Sequence, residues 1–274
     1  MYLGVDIGGT KTLAATLDAH GVITNKIKIP TNPDYKLFLK ELEQVIHDFG
    51  PHDYRAAGVG MPVTDFDRKR GIGISFGNLP WTMVPVQHDI EKLANCPVAL
   101  ENDAKLAGLS EAMLHKQYSK VLYVTISTGI GTALVVDQHI DPNIGDAGGA
   151  GMQFNHHGKM MPWEKFASGR AIVSRFGKRA EDIHDEKTWH TMVHDWGQGL
   201  LELIALTEPD LVVIGGSVGT YFDRYESLLK AELQQYATPL LQVPLITQAK
   251  RPEEAVVFGC YDYAKQVFGA GKHA

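Results

Sequence analysis

Apolar positions along the chain switch between the two periods of regular structure. Tyr2-Leu3-Gly4-Val5-Asp6-Ile7 and Thr12-Leu13-Ala14-Ala15 flank Gly8-Gly9-Thr10-Lys11, which predicts strand, glycine turn, strand. Residues 21–30 alternate in polarity and close on Pro30, the third strand of an antiparallel meander. Tyr35 to Phe49 carries Leu37, Leu39, Leu42, Val45 and Ile46 at helical spacing. A buried strand at 56–62 runs into a loop, and the glycine-rich stretch 71–81 is too irregular for a helix. Val86 to Leu93 reads as a helix, Pro97 to Asp103 as a strand ending in a polar cluster, and Ala104 to Leu114 as another helix.

The pattern then restarts. Val121 to Val136 is again strand, small polar residue, glycines, strand, with Ser127-Thr128-Gly129-Ile130-Gly131 at its centre. A long helical region from Phe166 to Phe176 follows, then helices around Trp189 to Thr207 and a buried strand Leu211-Val212-Val213-Ile214 running into Gly215-Gly216-Ser217. A helix from Phe222 to Tyr236, a strand near Val243 to Thr247 and a helix from Ala255 to Phe268 close the chain. The expectation is an α/β protein of two lobes with the same strand order, each opened by a glycine-tipped hairpin. Ligands of mixed sheets flanked by helices bind at strand ends, so a nucleotide is expected between the lobes.

Composition narrows the class. With 274 residues, 44% hydrophobic and 21% charged, the chain has the makings of an ordinary globular protein large enough for two lobes. A net charge of −6 argues against nucleic acid as a partner, and the 12 histidines add positive charge only in mild acid. No run of about 18 apolar residues is present, so no membrane partner is expected. Met1 directly before the first strand leads us to expect no signal peptide. Cys96 and Cys260 alone make neither a disulfide scaffold nor a four-thiolate zinc site, and a reduced, cytoplasmic setting is expected.

Three turns carry candidate chemistry: Gly8-Gly9-Thr10, Thr128-Gly129-Ile130-Gly131 and Gly215-Gly216-Ser217, each after an apolar strand. Glycines let backbone N–H groups approach phosphate oxygens, with Thr10 and Lys11 adding a hydroxyl and a cation, and Asp6 can hold a metal ion through water. The plain alternative is three structural turns. Glu101-Asn102-Asp103-Ala104 lies at a strand end before a helix, which suits both a helix N-cap and a general base for a hydroxyl attacking a phosphoryl group. Glu164 begins a helix, where a carboxylate favours the helix dipole, and facing a cleft it can also accept two sugar hydroxyls.

With Asp6-Ile7-Gly8-Gly9-Thr10-Lys11, Asn78-Leu79-Pro80, Glu101-Asn102-Asp103-Ala104, Ser127-Thr128-Gly129-Ile130-Gly131, Glu164 with Ala167-Ser168-Gly169-Arg170-Ala171-Ile172, and Ile214-Gly215-Gly216 in this order, nearly the whole chain resembles the ROK family of sugar kinases. The resemblance implies a two-lobed, actin-like ATPase (ribonuclease H-like) fold. The small lobe would comprise residues 1–105 with a C-terminal helix at about 255–274, and the large lobe residues 106–254. It implies Asp103 as catalytic base and Asn78, Asn102 and Glu164 as sugar ligands. Gly8, Gly9, Thr10, Lys11, Thr128 and Gly129 would hold ATP phosphates, Gly215 and Gly216 would border the nucleoside, and Mg²⁺ would bridge phosphates near Asp6. The implied reaction is ATP-dependent phosphorylation of a hexose or hexose derivative (glucose or N-acetylhexosamine-like) at its primary hydroxyl. A homodimer is expected by analogy.

The chain also departs from the family. Where members carry Glu-x-Gly-His, counting back from Gly158-Lys159 finds Gly148 and Gly151, and a shifted alignment finds Gln153 and His156. Either way the acidic ligand is missing, which suggests room for a bulkier acceptor, or a non-catalytic sugar or nucleotide sensor as the alternative function. The family's cysteine-rich zinc loop is missing too, so no structural zinc is expected. His156 and His157 are then expected at the surface, with the loop held by Met160, Met161 and Trp163. No N-terminal helix–turn–helix is expected, because the first strand begins at residue 2.

Overall fold

Two glycine-tipped hairpins each open a five-stranded sheet, and both sheets have the same plan. The structure, a computed structural model, describes residues 1–251 and 253–269. The chain divides into two compact units, Met1–Ser110 with Glu253–Ala274, and Glu111–Pro252. The end of the expected small lobe, 270–274, lies outside the described residues, as does Pro252.

In the first unit β1 (Tyr2–Ile7), β2 (Lys11–Leu17) and β3 (Ile23–Pro30) form the meander, followed by α1 (Tyr35–Asp48) and β4 (Ala56–Met61). The loop expected after β4 and the glycine-rich stretch both hold strands. β5 (Val63–Asp67), β6 (Ile72–Phe76) and β7 (Thr82–Val84) make a small antiparallel sheet, its alternation obscured by Gly71, Gly73 and Gly77. Then come α2 (Val86–Ala94), β8 (Val98–Asn102) and α3 (Asp103–Ala112). The main sheet runs β3-β2-β1-β4-β8, with β1–β2 and β2–β3 antiparallel and β1–β4 and β4–β8 parallel. Alternation along β1 sends Leu3, Val5 and Ile7 into a core with Phe38 and Leu42 of α1 and Ile90 of α2. Tyr2 points to the opposite face, toward Val257 and Tyr261. Asp6 shares that face by the same period of two, at the strand's end.

The second unit starts its sheet with β9 (Lys120–Ile126), β10 (Ile130–Val136) and β11 (His139–Ile140). A one-turn helix α4 (Gly148–Gly151) and a hairpin β12 (Gln153–His156) and β13 (Lys159–Pro162) follow. The expected long helix is two, α5 (Glu164–Ala167) and α6 (Gly169–Phe176), separated by Ser168 in extended conformation. Ser168 breaks the run because its hydroxyl caps α6 by accepting from Ala171 N at 3.2 Å. α7 (Glu186–Thr207) buries Trp189, Met192, Val193, Trp196, Leu200 and Leu203 at helical spacing against Leu122, Val124 and Ile126 of β9. β14 (Leu211–Gly215), α8 (Gly216–Gly219), α9 (Glu226–Gln234) and β15 (Leu245–Gln248) complete the unit. The sheet order β11-β10-β9-β14-β15 repeats the first, including two antiparallel and two parallel pairings. The helix expected at 222–236 is a 3₁₀ turn at Phe222–Arg224 followed by α9. The final helix α10 (Ala255–Phe268) returns to the first unit.

Candidate active site

The β1–β2 turn is held from outside. Gly8 N bonds Lys11 O at 3.0 Å, while Thr31 donates its amide to Thr10 O at 3.0 Å and its hydroxyl to Gly8 O at 2.8 Å. A Cβ on Gly9 would sit 2.7 Å from Cβ of Asn78, so Asn78 packs directly on the tip, and only glycine fits there. Thr10 and Lys11 remain exposed. The tip is therefore a rigid cradle of bare backbone with a hydroxyl and an ammonium group beside it, which suits phosphate oxygens.

Asp6 and Asp103 meet at the ends of β1 and β8. Burial pushes the Asp6 carboxyl up to about 7, helped by the charge of Asp103 and opposed by Lys28. Burial also pushes Asp103 up to about 6, against the pull of the Ala104 amide, which bonds its Oδ1 at 2.7 Å. A buried carboxyl raised further by a neighbouring carboxylate suits a divalent cation, so the residues fit magnesium.

The rest of the polar cluster braces this corner. Glu101 is buried and accepts from both Nε (3.1 Å) and Nη2 of Arg68 in a two-pronged ion pair, and its Oε1 also takes the Asn102 amide at 2.8 Å. Asn102 Oδ1 caps α3 through Ala104 N at 2.9 Å and Lys105 N at 3.2 Å, and its Nδ2 donates to Val63 O at 3.1 Å. One amide hydrogen of Asn102 stays unused among these bonds, enough for one substrate oxygen. Arg68 escaped the sequence reading because its partner lies 33 residues away and no spacing links the two.

In the second unit Glu164 is tied to the second turn. Its Oε2 accepts from Ile130 N at 3.0 Å, and a Cβ on Gly129 would collide with its carboxylate. Ser127 N bonds Gly129 O at 2.9 Å and Gly169 N bonds Ser127 O at 2.7 Å, leaving Thr128 exposed at the tip. Gly216 has φ +79°, and a side chain there would strike Ile126 O, so Gly215-Gly216 lies against the end of β9. Glu164, Thr128, Gly129, Gly215 and Gly216 thus gather around one strand end in this unit. Asp6, Gly8 to Lys11, Asn78, Asn102 and Asp103 gather in the other.

The expectation of added room at Gly148 is corrected. Gly148 has φ +49° and Gly149 would place a Cβ 2.7 Å from Cβ of Ile130, so these glycines let α4 close onto β10. His156 is also corrected. Its side chain is only 11% exposed, its Nε2 lies 3.3 Å from Asp195 Oδ1, and its ring stacks on Phe166 at 4.3 Å. His157 is exposed. Met160 is 67% exposed and holds nothing, whereas Trp163 is fully buried. Asp195 and Arg175 were missed. The available signal is that Asp195 falls on the apolar stripe of α7, three residues after Met192. Among the described residues no group of three or more His, Cys, Asp or Glu is placed to hold a metal ion, and no helix is long and apolar enough to cross a membrane.

The ROK family profile matches residues 2–267. The glucokinase of Streptomyces coelicolor is 25% identical, covering 80% of this chain and 82% of that protein. An N-acetylgalactosamine kinase of Shewanella is 27% identical, also over 80% of this chain and 82% of its own length. The crystal structure of a ROK family glucokinase from Streptomyces griseus, in complex with glucose and AMPPNP, shares the fold with a TM-score of 0.81 at 22% identity, covering 97% of this chain and 99% of that one. With the family match spanning both glycine-tipped hairpins, Asp103 and Glu164, the chain belongs to the ROK family and to the ATP-dependent carbohydrate kinases within it.

Proposed function

We propose that the acceptor is a hexose or an N-acetylhexosamine-like derivative, phosphorylated at its primary hydroxyl, with Asp103 as the base. The observation that carries this reading is the state of Asp103. Its carboxyl sits at about 6, ionised at neutral pH yet basic enough to take a proton, and its Oδ1 is fixed by Ala104 N. Oδ2 is then the atom that accepts the proton of the attacking hydroxyl. The remaining amide hydrogen of Asn102, with Asn78 and Glu164, orients the sugar. Glu164 uses Oε2 on Ile130 and keeps Oε1 for a hydroxyl. The hairpin tip from Gly8 to Lys11, through the backbone of Gly9 and Thr10 and the Lys11 ammonium, receives the phosphates with Thr128 and Gly129, and Gly215-Gly216 borders the nucleoside. A magnesium ion held by Asp6 through water supplies charge neutralisation of the triphosphate when bound.

An ADP-release assay over a panel of hexoses and amino sugars tests the reading. Turnover of at least one sugar is expected, with Asp103→Ala lowering kcat by about 10²–10⁴-fold and leaving nucleotide binding nearly intact. A near-normal rate in that variant would assign the base elsewhere. Sugar binding without turnover across the panel would favour the sensor.

A further inference from the structure

α5 is four residues long and carries Glu164, and one helical turn does not hold itself in water. Its support comes from side chains distant in sequence. Trp163, just before it, donates its indole N–H to Asp195 O at 2.9 Å. Trp196 donates to Ala167 O at 2.8 Å, capping the end of α5. Arg175 of α6 donates Nη1 to Phe166 O and to Asp195 Oδ2, the latter at 2.6 Å. Asp195, 3% exposed, faces His156 with its other oxygen at 3.3 Å, and the His156 ring lies flat on Phe166. Buried carboxylates are costly unless paired, so this one marks a site where charge has a task or a structural need.

We propose that Arg175, Asp195 and His156 form a metal-free clamp of positioning residues that sets α5, and through it fixes the Glu164 carboxylate on the Ile130 amide at the second turn. The proposal rests on the reading of Glu164 as an acceptor ligand for its kinetic consequence, but not for its structural one. The clamp works from both sides of α5. Arg175 takes the free carbonyl of Phe166, and His156 covers the ring of the same residue. Asp195 holds Arg175 and His156 in place by one oxygen each. Arg175 is the cationic member. Burial lowers the His156 pKa, with His157 and Arg175 adding to the effect and Asp195 opposing it.

The test has two readouts on the full-length protein. Amide hydrogen exchange at Ile130 reports the bond to Glu164 without reference to activity. Arg175→Met is expected to speed Ile130 exchange at least tenfold, with the rest of β9 and β10 changed less than threefold. It should also raise the sugar KM at least ten times more than the nucleotide KM. Arg175→Lys should restore part of both effects. His156→Phe, which keeps the stack on Phe166, should show a smaller shift of the same kind, and it serves if Arg175→Met does not fold. Exchange at Ile130 unchanged in a folded variant overturns the clamp. So does faster exchange spread evenly over β9 and β10, which means general loosening. If the wild-type protein turns over no sugar, the acceptor reading fails, and Ile130 exchange still decides the clamp.

Discussion

Asp6 and Asp103 hold their protons more tightly in the fold than in an unfolded chain, at about 7 and about 6. Between the ordinary carboxylate range and those values the folded state binds more protons, so stability from this corner falls as pH rises through that window. Asp6→Asn removes the term. It should stabilise the protein by on the order of 4 kcal/mol at pH 8, an advantage that falls to under half of that at pH 5, read by urea unfolding at both values. An equal gain at both would place the carboxylate in ordinary surroundings. Catalysis has the opposite sign. A base must be ionised, so kcat/KM should rise through an acid limb near pH 6 and then level off. The roles open to these carboxylates were legible in Asp6-Ile7-Gly8-Gly9 and Glu101-Asn102-Asp103, because strand ends before glycines and helices are where such groups act. The effect of the Asp103 charge on Asp6 was not, since the two side chains that packing brings together lie 97 positions apart along the chain.

At the scale of elements, close approach decides what the local pattern leaves open. Trp163 fills a notch over Gly199 of α7, where any Cβ would strike the indole. Gly199→Ala should therefore cost about 1–3 kcal/mol by overpacking and reduce Trp163 burial. Chemical denaturation with tryptophan fluorescence checks both, and an unmoved midpoint would mean the indole has space to shift. The hairpins tell the same story. Each tip was visible as glycine after an apolar strand, but the braces were not. Thr31 supports the first and Glu164 the second, and both come from outside the hairpin they hold. The split between α5 and α6 at Ser168 likewise follows from a tertiary bond, Gly169 N to Ser127 O, combined with a local cap.

On the scale of the whole molecule the first unit is closed by its most distant segment. Gly4, Gly58 and Gly60 present a surface without side chains, and α10 lies close upon it, with Val257, Cys260 and Tyr261 buried. Burying each large apolar side chain is worth about 1.5–3 kcal/mol, against roughly 5–15 kcal/mol for a typical domain. A chain ending at residue 254 should lose cooperative folding of the first unit. The emission of Trp81 there should shift to the red, while Trp163, Trp189 and Trp196, in the separate core of the second unit, keep theirs. Retained blue emission from Trp81 would show that α10 is dispensable. By itself, the sequence determined the repeated strand order, the two glycine-tipped turns and the family, because period, turn chemistry and motif order are local properties read along the chain. Tertiary structure alone decided that Gly148 and Gly149 close onto β10, that Glu101 pairs with Arg68, and that His156 turns inward to Asp195 and Phe166. Those outcomes depend on which surfaces meet once apolar faces are buried, and no local pattern records them.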